Sequence, residues 1–314
     1  MDINKEEIEK IRNELKTEYA SASRASSINA LLIVISIVIP FLSLAAFQGS
    51  NGTNSSASFI MPVLLSFILI SAIRFMYVTP KIKKYKSSVK KAINSLVFDK
   101  MFENVSFDPE RGFDEEALKK IAVVPFGNRY NSNDLLKGRK NGVDFERSDV
   151  WTYTETTDGD GHTTTSTDFK GQIYKFDFHK ETLNYVQIKD KKFLSGIFKG
   201  HKLANVKKIT LEDYEFNDKF DVYTDDEEEA FYVFTPHFMN RVMSLKNKFK
   251  SRLSIVVSKG LIYIAVNTGE DAFEIKNNQE VSDEFIKMVI TEANIISEII
   301  CDLDLDSDLF KSRN

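Results

Sequence analysis

Two long apolar runs, residues 30–47 and 59–78, constrain this chain more than any other part of its sequence. Only an uncharged loop, residues 48–58, separates them. At about 1.5 Å per residue each run forms a helix of roughly 27 to 30 Å, which matches the hydrocarbon thickness of a bilayer. A helix also satisfies its own backbone hydrogen bonds in lipid. The pattern predicts a two-helix transmembrane hairpin over residues 29–79; the competing interpretation is a hairpin buried in a soluble core.

Positive charge flanks this hairpin on both sides. Five Lys and Arg side chains precede the first run, the loop carries no charge, and six lysines follow the second run. The six are Lys81, Lys83, Lys84, Lys86, Lys90 and Lys91. Because flanks rich in Lys and Arg stay in the cytoplasm, we expect both termini to be cytoplasmic and the loop to lie outside.

Charge is segregated along the remaining chain. Residues 79–100 hold seven Lys and one acidic residue, whereas the chain from Met101 onward has 29 Lys and Arg against 39 Asp and Glu. Anionic headgroups attract each basic residue near the membrane surface by about 1 kcal/mol. We therefore expect the six lysines to contact lipid headgroups, although a simple solvated helix face accounts for the same cluster. The acidic body argues against nucleic acid as a partner.

Amphipathic helices are predicted on both sides of the hairpin. Ile8, Ile11 and Leu15 recur at helical spacing within residues 1–28. Thr79 and Pro80 have the form of an N-cap and first turn that open a new helix over residues 80–106. The predicted apolar face of this second helix consists of Val89, Ile93, Leu96 and Val97. We expect the two helices to pair as an antiparallel stalk; alternatively, each lies along the bilayer surface.

Residues 107–314 are predicted to form an α+β domain in the cytoplasm. The expected strands are residues 143–155, 163–178, 183–188, 206–211, 253–257 and 261–266. The expected helices are residues 115–121, one helix opened by a capping box at Thr224, one opened at Thr235, and residues 281–303. Because strands and helices do not alternate as βαβ units, the fold class is α+β with β-hairpins.

The sequence contains no motif for catalysis, metal binding or cofactor binding. Its four His lack metal-ligand spacing, and its glycines form no phosphate-binding loop. Cys301 lies in the apolar pattern of the last helix, which predicts a buried, inert thiol. Asp158, Asp160 and His162 alternate as in a calcium loop, but Phe169 stands where that loop needs a bidentate Glu, so a turn is favoured. We expect no metal, no cofactor and no catalytic residue.

Short motifs in the second part of the chain resemble one protein family. They include Asn133-Asp-Leu-Leu-Lys-Gly138, Gly142-Val-Asp-Phe-Glu146, Phe169-Lys-Gly171, Phe176-Asp-Phe178, Glu215-Phe216, Phe220-Asp-Val-Tyr-Thr-Asp225, Glu229-Ala230 and Phe234-Thr-Pro-His-Phe-Met239. With these motifs the chain resembles the DUF3137 family of bacterial proteins of unknown function, over residues 107–273. The resemblance implies a membrane-anchored protein with an N-terminal hairpin and a cytoplasmic domain, and it implies no catalytic residues. The expected location is the bacterial inner membrane.

Three functions are consistent with these features. The first is a non-enzymatic membrane protein whose cytoplasmic domain binds or scaffolds a protein partner, and it is the function we expect. The second is a lipid-handling or lipid-sensing module, suggested by the lysines beside aromatic strands; these aromatic residues also fit a strand core. They are Trp151, Tyr153, Tyr174, Phe176 and Phe178. The third is an enzyme whose site is assembled from residues distant in sequence.

Overall fold

A computed structural model describes residues 5–49, 57–178, 184–191, 206–277 and 279–306. The chain forms two compact units. Unit 1 comprises residues 1–96 and 274–287, and unit 2 comprises residues 97–273 and 288–314. Each unit is described separately below. Most of the predicted loop 48–58 lies outside the described residues.

Unit 1 is helical. Helix α1 spans Lys5–Gly49, helix α2 spans Ala57–Ile73 and helix α3 spans Thr79–Ile93. A π-helical turn, Arg74–Val78, joins α2 to α3, and a second one, Asn94–Phe98, follows α3. The predicted amphipathic helix and first apolar run are therefore one continuous helix of 45 residues.

The helix expected to open at Thr79 is instead a continuation of the preceding helix. Thr79 has helical dihedral angles, and its backbone N–H donates to the carbonyl of Arg74, five residues earlier. A proline inside a helix lacks an N–H and crowds the carbonyl four residues before it. The wider π-helical turn directly before Pro80 is a recognised cause of such local rearrangement. The N-cap prediction at Thr79 was wrong because a proline motif also fits a helix that continues through it.

Helices α1 and α3 pack against each other. The rings of Tyr19 and Tyr85 lie 5.7 Å apart, and Ala22 and Ala25 are completely buried, which allows the helices to approach closely. Towards the apolar ends, Leu32 of α1 belongs to a cluster of buried residues shared with α2. The other buried members of this cluster are Ala25, Ile70 and Val78.

A segment from late in the chain completes unit 1. Tyr85 donates from its hydroxyl to the carbonyl of Gln279 at 2.8 Å, and Arg12 donates from Nε to the carbonyl of Val281 at 3.0 Å. Burial raises the pKa of Tyr85 to about 12, with a further contribution from Tyr19. Both stalk helices are thus hydrogen-bonded to the same late segment.

Unit 2 contains one antiparallel sheet of nine strands in the order β1-β2-β3-β4-β9-β8-β5-β7-β6. The strands are β1 (Glu103–Asp108), β2 (Arg129–Lys140), β3 (Val143–Thr157), β4 (Thr163–Asp177), β5 (Val186–Asp190), β6 (Lys207–Ile209), β7 (Phe220–Thr224), β8 (Arg252–Ser258) and β9 (Leu261–Asn267). The helices of unit 2 are α4 (Asp99–Met101), α5 (Glu115–Ile121), α6 (Tyr214–Lys219), α7 (Glu227–Val233) and α8 (Pro236–Phe249). Helix α9 (Asp283–Leu303) begins within the residues of unit 1, and its residues from Met288 onward belong to unit 2. The mixed composition with purely antiparallel pairing confirms the α+β class.

The sheet of unit 2 buries side chains on both faces. On one face Val150, Phe169 and Ile173 form a cluster with Leu118 of α5. Because side chains alternate along a strand, the neighbouring positions point to the opposite face. There Phe176 is buried, and Phe102 packs edge-on against Phe145 with 4.8 Å between ring centroids. The core therefore lies on both sides of the sheet.

Elements with strong local signals were predicted closely. Helix α5 has the predicted bounds, and β3 and β4 form the predicted long hairpin. The Thr235 hydroxyl caps α8 by accepting from the Phe238 backbone N–H. Strands β8 and β9 form the expected tight hairpin. Residue 183, the predicted start of one strand, lies outside the described residues.

Three further predictions were wrong. The helix predicted over residues 80–106 ends at Met101, and strand β1 begins at Glu103. Asp226, not Thr224, is the N-cap of α7, since its carboxylate accepts from the Glu229 backbone N–H, while Thr224 ends β7. Cys301 is exposed. Its neighbour Ile300 is completely buried, and successive helix positions are rotated by about 100°, so the thiol points away from the buried side.

Candidate functional site

The apolar surface of unit 1 is the most unusual feature of the described structure. Two helices are long and apolar enough to cross a membrane, judged by length and composition. Only 6% of each apolar window is buried, whereas a core helix of a soluble protein is mostly buried. Phe41 is 70% exposed and Phe67 is 68% exposed. An apolar patch of this kind needs a non-aqueous neighbour.

The six lysines of α3 fall into two groups. Lys83, Lys84 and Lys91 are exposed; Lys84 also approaches Glu18 at 3.3 Å while its side chain stays 72% exposed. Lys81 is half-buried and lies over the Tyr77 ring at 4.1 Å. We call these four the outer lysines.

The other two lysines share one carboxylate of the late segment of unit 1. Lys86 forms an ion pair with Glu274, and Lys90 lies 3.4 Å from the same carboxylate. The side chain of Lys90 is only 10% exposed. These two lysines therefore hold the late segment of unit 1 against α3, a role that the sequence does not reveal because Glu274 is 188 residues from Lys86.

A buried polar cluster lies in the sheet of unit 2. Arg147 is 1% exposed and donates two hydrogen bonds to the Asp149 carboxylate, at 2.8 and 2.9 Å. Its guanidinium also lies 4.4 Å from the centre of the Phe273 ring. Asp149 accepts further hydrogen bonds from Gln172 Nε2 and from the Ala272 backbone N–H. A buried charge is tolerated only with such partners, so the cluster is satisfied.

The pKa values of this cluster follow from burial and charge. Burial opposes the charge of Arg147, but the neighbouring Asp149 carboxylate outweighs it and raises the pKa of the guanidinium. Burial raises the pKa of Tyr174. Burial also raises the pKa of Glu292, and the nearby Asp149 adds to the effect while Arg147 opposes it. The arrangement stabilises an ionised Arg and disfavours an ionised Glu292, and Arg147 and Tyr174 are too buried to meet a substrate.

An open cavity of about 640 Å³ lies at another part of unit 2. The Glu146 carboxylate on its wall contacts the ammonium groups of Lys137 at 3.0 Å and Lys175 at 2.8 Å. Burial opposes the charge on Glu146, but the hydrogen bonds from Lys175 and Lys137 lower its pKa below the usual range. The three residues lie on adjacent strands and face one another in register. A carboxylate already neutralised by two ammonium groups is a poor general base.

The aromatic residues singled out in the sequence are mostly core. Tyr174, Phe176 and Phe178 are buried. Trp151 and Tyr153 stack on each other with ring centroids 4.2 Å apart. The structure thus supports the strand-core interpretation for Tyr174, Phe176 and Phe178, whereas Trp151 and Tyr153 are half-buried.

The Asp158 turn is held by its own hydrogen bonds. The Asp158 carboxylate accepts from the backbone N–H groups of Asp160 and His162, at 3.0 and 2.8 Å. This pattern is that of an Asx turn, in agreement with the turn interpretation. His179 and His201 lie outside the described residues.

Comparison with known proteins identifies the family. Residues 167–305 match DUF3137, described as a protein of unknown function. This part of the chain belongs to the DUF3137 family. The family assignment made from the sequence is therefore confirmed. The match begins at residue 167, so the motifs at residues 133–138 and 142–146 lie outside it, and it extends to residue 305, beyond the last motif.

Other comparisons add no function. The curated proteins give no match. A similar solved structure is the crystal structure of the mycobacterial trehalose monomycolate transport factor A, TtfA, at 7% identity and a TM-score of 0.33, covering 68% of this chain and 96% of that chain. The score is too low for anything to be carried over to this chain.

Replacing the buried carboxylate should destabilise unit 2. In Asp149→Asn the Arg147 charge stays buried without its counter-charge, so we expect the free energy of unfolding to fall by about 3–5 kcal/mol. The matched control is Asp144→Asn, because Asp144 pairs with Arg139 on the surface, and the expected loss there is below about 1 kcal/mol. Urea unfolding of the full chain in detergent, followed through its single tryptophan, measures both. Equal losses would contradict the assignment.

The raised pKa of Glu292 makes stability depend on pH. Because the folded-state pKa lies above the unfolded value of 4.5, ionisation opposes folding, and the favourable contribution of the neutral acid is lost as pH rises through the folded pKa. We expect Glu292→Gln to be more stable than the natural protein at neutral pH, with the difference vanishing towards pH 4.5. Unfolding curves over a pH series check this. A difference independent of pH would be evidence against a desolvated carboxyl.

Proposed function

We propose that this DUF3137 protein is an integral protein of the bacterial inner membrane, anchored by a transmembrane hairpin of α1 and α2. The observation that carries the proposal is the exposure of the apolar side chains on both helices. Exposure of such a surface to water is unfavourable, because each square ångström of exposed apolar area costs about 25 cal/mol of free energy. Lipid covers both helices at once.

Both termini are proposed to lie in the cytoplasm. The outer lysines and the Lys and Arg residues of the first part of α1 lie at the same end of the hairpin, because α1 and α3 pack there. The positive-inside rule assigns this end to the cytoplasm. Lys86 and Lys90, which are bound to Glu274, add to the positive charge at this end of the hairpin. The proposal does not require them to contact lipid headgroups.

Unit 2 is proposed to be a non-enzymatic binding or scaffolding domain. Its conspicuous ionisable groups in the described part of the chain are engaged with one another: Arg147 with Asp149, and Glu146 with Lys137 and Lys175. Catalytic groups are instead held ready for a substrate, with a nucleophile beside its base. A cytoplasmic domain tethered at the membrane by a short helical stalk suits the recruitment of a protein partner.

Topology can be tested with a reporter enzyme active only outside the cytoplasm. Fused after Asn314 it should stay silent, and fused within the loop at residues 50–56 it should be active. The control is the loop fusion itself, which shows that the reporter can work in this protein. Activity of the C-terminal fusion would overturn the hairpin topology.

Headgroup contact of the outer lysines can be tested by fluorescence quenching. The full chain with Cys301→Ser and a fluorophore at Lys83→Cys is placed in nanodiscs that contain anionic lipid and headgroup spin labels. We expect quenching that weakens at high salt, because ions screen exposed charge pairs. Changing Lys81, Lys84 and Lys91 to Gln should reduce it, while Lys86→Gln should not. Quenching unaffected by salt and by all of these changes would leave the lysines as a topology signal alone.

A further inference from the structure

The β3–β4 hairpin extends beyond the rest of the sheet as a two-stranded arm. Its pairs run from Tyr153 with Thr167 to Thr157 with Thr163. Strand β9 pairs with β4 only from Gln172 onward, and strand β2 pairs with β3 only as far as Tyr153. Such an arm has two edges, one along each strand, and an edge that is exposed is a template for pairing with another strand.

The β3 edge of the arm is closed by the chain itself. The side-chain amide of Asn128 donates to the Glu155 carbonyl at 2.8 Å and accepts from the Glu155 N–H at 2.9 Å, so it occupies the place of a neighbouring strand. Gly127 lets the chain approach this closely, because a Cβ there would lie 2.3 Å from the Tyr153 carbonyl oxygen. No further strand can add at this point.

The β4 edge of the arm remains open. Since the backbone polar groups of Glu155 point away from β4, its cross-strand partner Thr165 directs its own N–H and C=O outward. By alternation Thr163 and Thr167 do the same. No strand in the described part of the chain pairs with these three residues. We call Thr163–Thr167 the open edge.

The open edge lacks the devices that normally prevent pairing. Residues 163–167 read Thr-Thr-Thr-Ser-Thr, without Lys or Pro, and each side chain is exposed. Thr favours extended strands. Natural edges are usually blocked by charge, proline or a cover. This edge is therefore built to accept a strand.

We propose that the open edge pairs with the open edge of a second copy of this chain. With a two-fold axis at Thr165, the antiparallel register places Thr163 opposite Thr167 of the other copy, so all three outward residues exchange backbone hydrogen bonds. The same register directs the tip of one arm, which carries Asp158 and Asp160, towards the base of the other arm, which carries Lys170. The edge is thus complementary to itself in both hydrogen bonding and charge.

Charge favours a second copy over an unrelated strand. Between residues 151 and 169 the arm carries four acidic residues and no Lys or Arg. A parallel arrangement would place two acidic tips together, whereas the antiparallel one separates the tips and sets each against a lysine. Like charges directly opposite each other destabilise a strand pair, and opposite charges stabilise it.

Cysteine cross-linking in membranes tests the proposal. In the full chain with Cys301→Ser, Thr165→Cys should give a dimer with a short bis-maleimide. Thr156→Cys is the control, because it is equally exposed on the same arm but lies on the closed strand. Equal cross-linking at both positions, or none at Thr165, would overturn the proposal. A product whose mass differs from twice the chain would assign the edge to another protein instead.

Charge exchange provides a second readout. Asp160→Lys should lower the cross-linked fraction at Thr165→Cys several-fold, because it places two lysines together. Combining it with Lys170→Asp should restore the fraction. A circular dichroism spectrum unchanged by these substitutions shows that the arm still folds. If the cross-linked fraction falls in Asp160→Lys and is not restored in the double variant, the proposed register is wrong.

Discussion

The structure of unit 1 depends on the apolar surface of α1 and α2, which is exposed and contacts little other protein in the described residues. The bilayer proposed above would cover this surface, and the distribution of charge along the chain agrees with that placement. Basic residues gather on both chain segments at one end of the hairpin, where α1 and α3 pack, and acidic residues dominate beyond. Small buried residues such as Ala22 and Ala25 bring the helices together without a bulky core. Packing of small residues is also how helices associate when lipid replaces water as the surrounding medium.

Unit 2 is stabilised by a different balance. Its sheet buries side chains on both faces, so a charge placed there must bring its own partners. Arg147 does so through Asp149, which is in turn held by Gln172. The electrostatic attraction within this cluster is largely offset by the cost of removing its charges from water, whereas loss of one partner would leave an uncompensated buried charge. A group committed in this way is not available for chemistry, which fits a binding role for the domain.

Whether an element could be predicted depends on how far along the sequence the residues that determine it lie. Helix α5 and the Thr235 cap depend on neighbouring residues and could be read directly. Strand β2 could not, because its sequence is mostly polar and lacks apolar alternation; it exists because β3 pairs along its length. The capping prediction at Thr224 failed because β7 extends to that residue and Asp226 stands closer to the helix.

The roles of side chains were harder to predict than the elements. Lys86 and Lys90 bind Glu274, and the sequence does not reveal this role because Glu274 lies far from both lysines in the chain. Arg147 and Asp149 do carry a usable signal, since two opposite charges at alternate positions of an apolar strand share a face.

The proposed membrane anchor bears on the proposed pairing of the β3–β4 arm through the concentration of the chain. A single short edge pairs weakly in dilute solution, because association costs translational and rotational freedom. Anchoring in a membrane confines copies to one surface and raises their effective concentration, as a tether does. We therefore expect the open edge to pair weakly in a dilute soluble domain and more strongly when the proposed membrane anchor holds the chain in lipid. Asn128 closes one edge of the arm, so pairing stops at two copies and does not continue as an open-ended sheet.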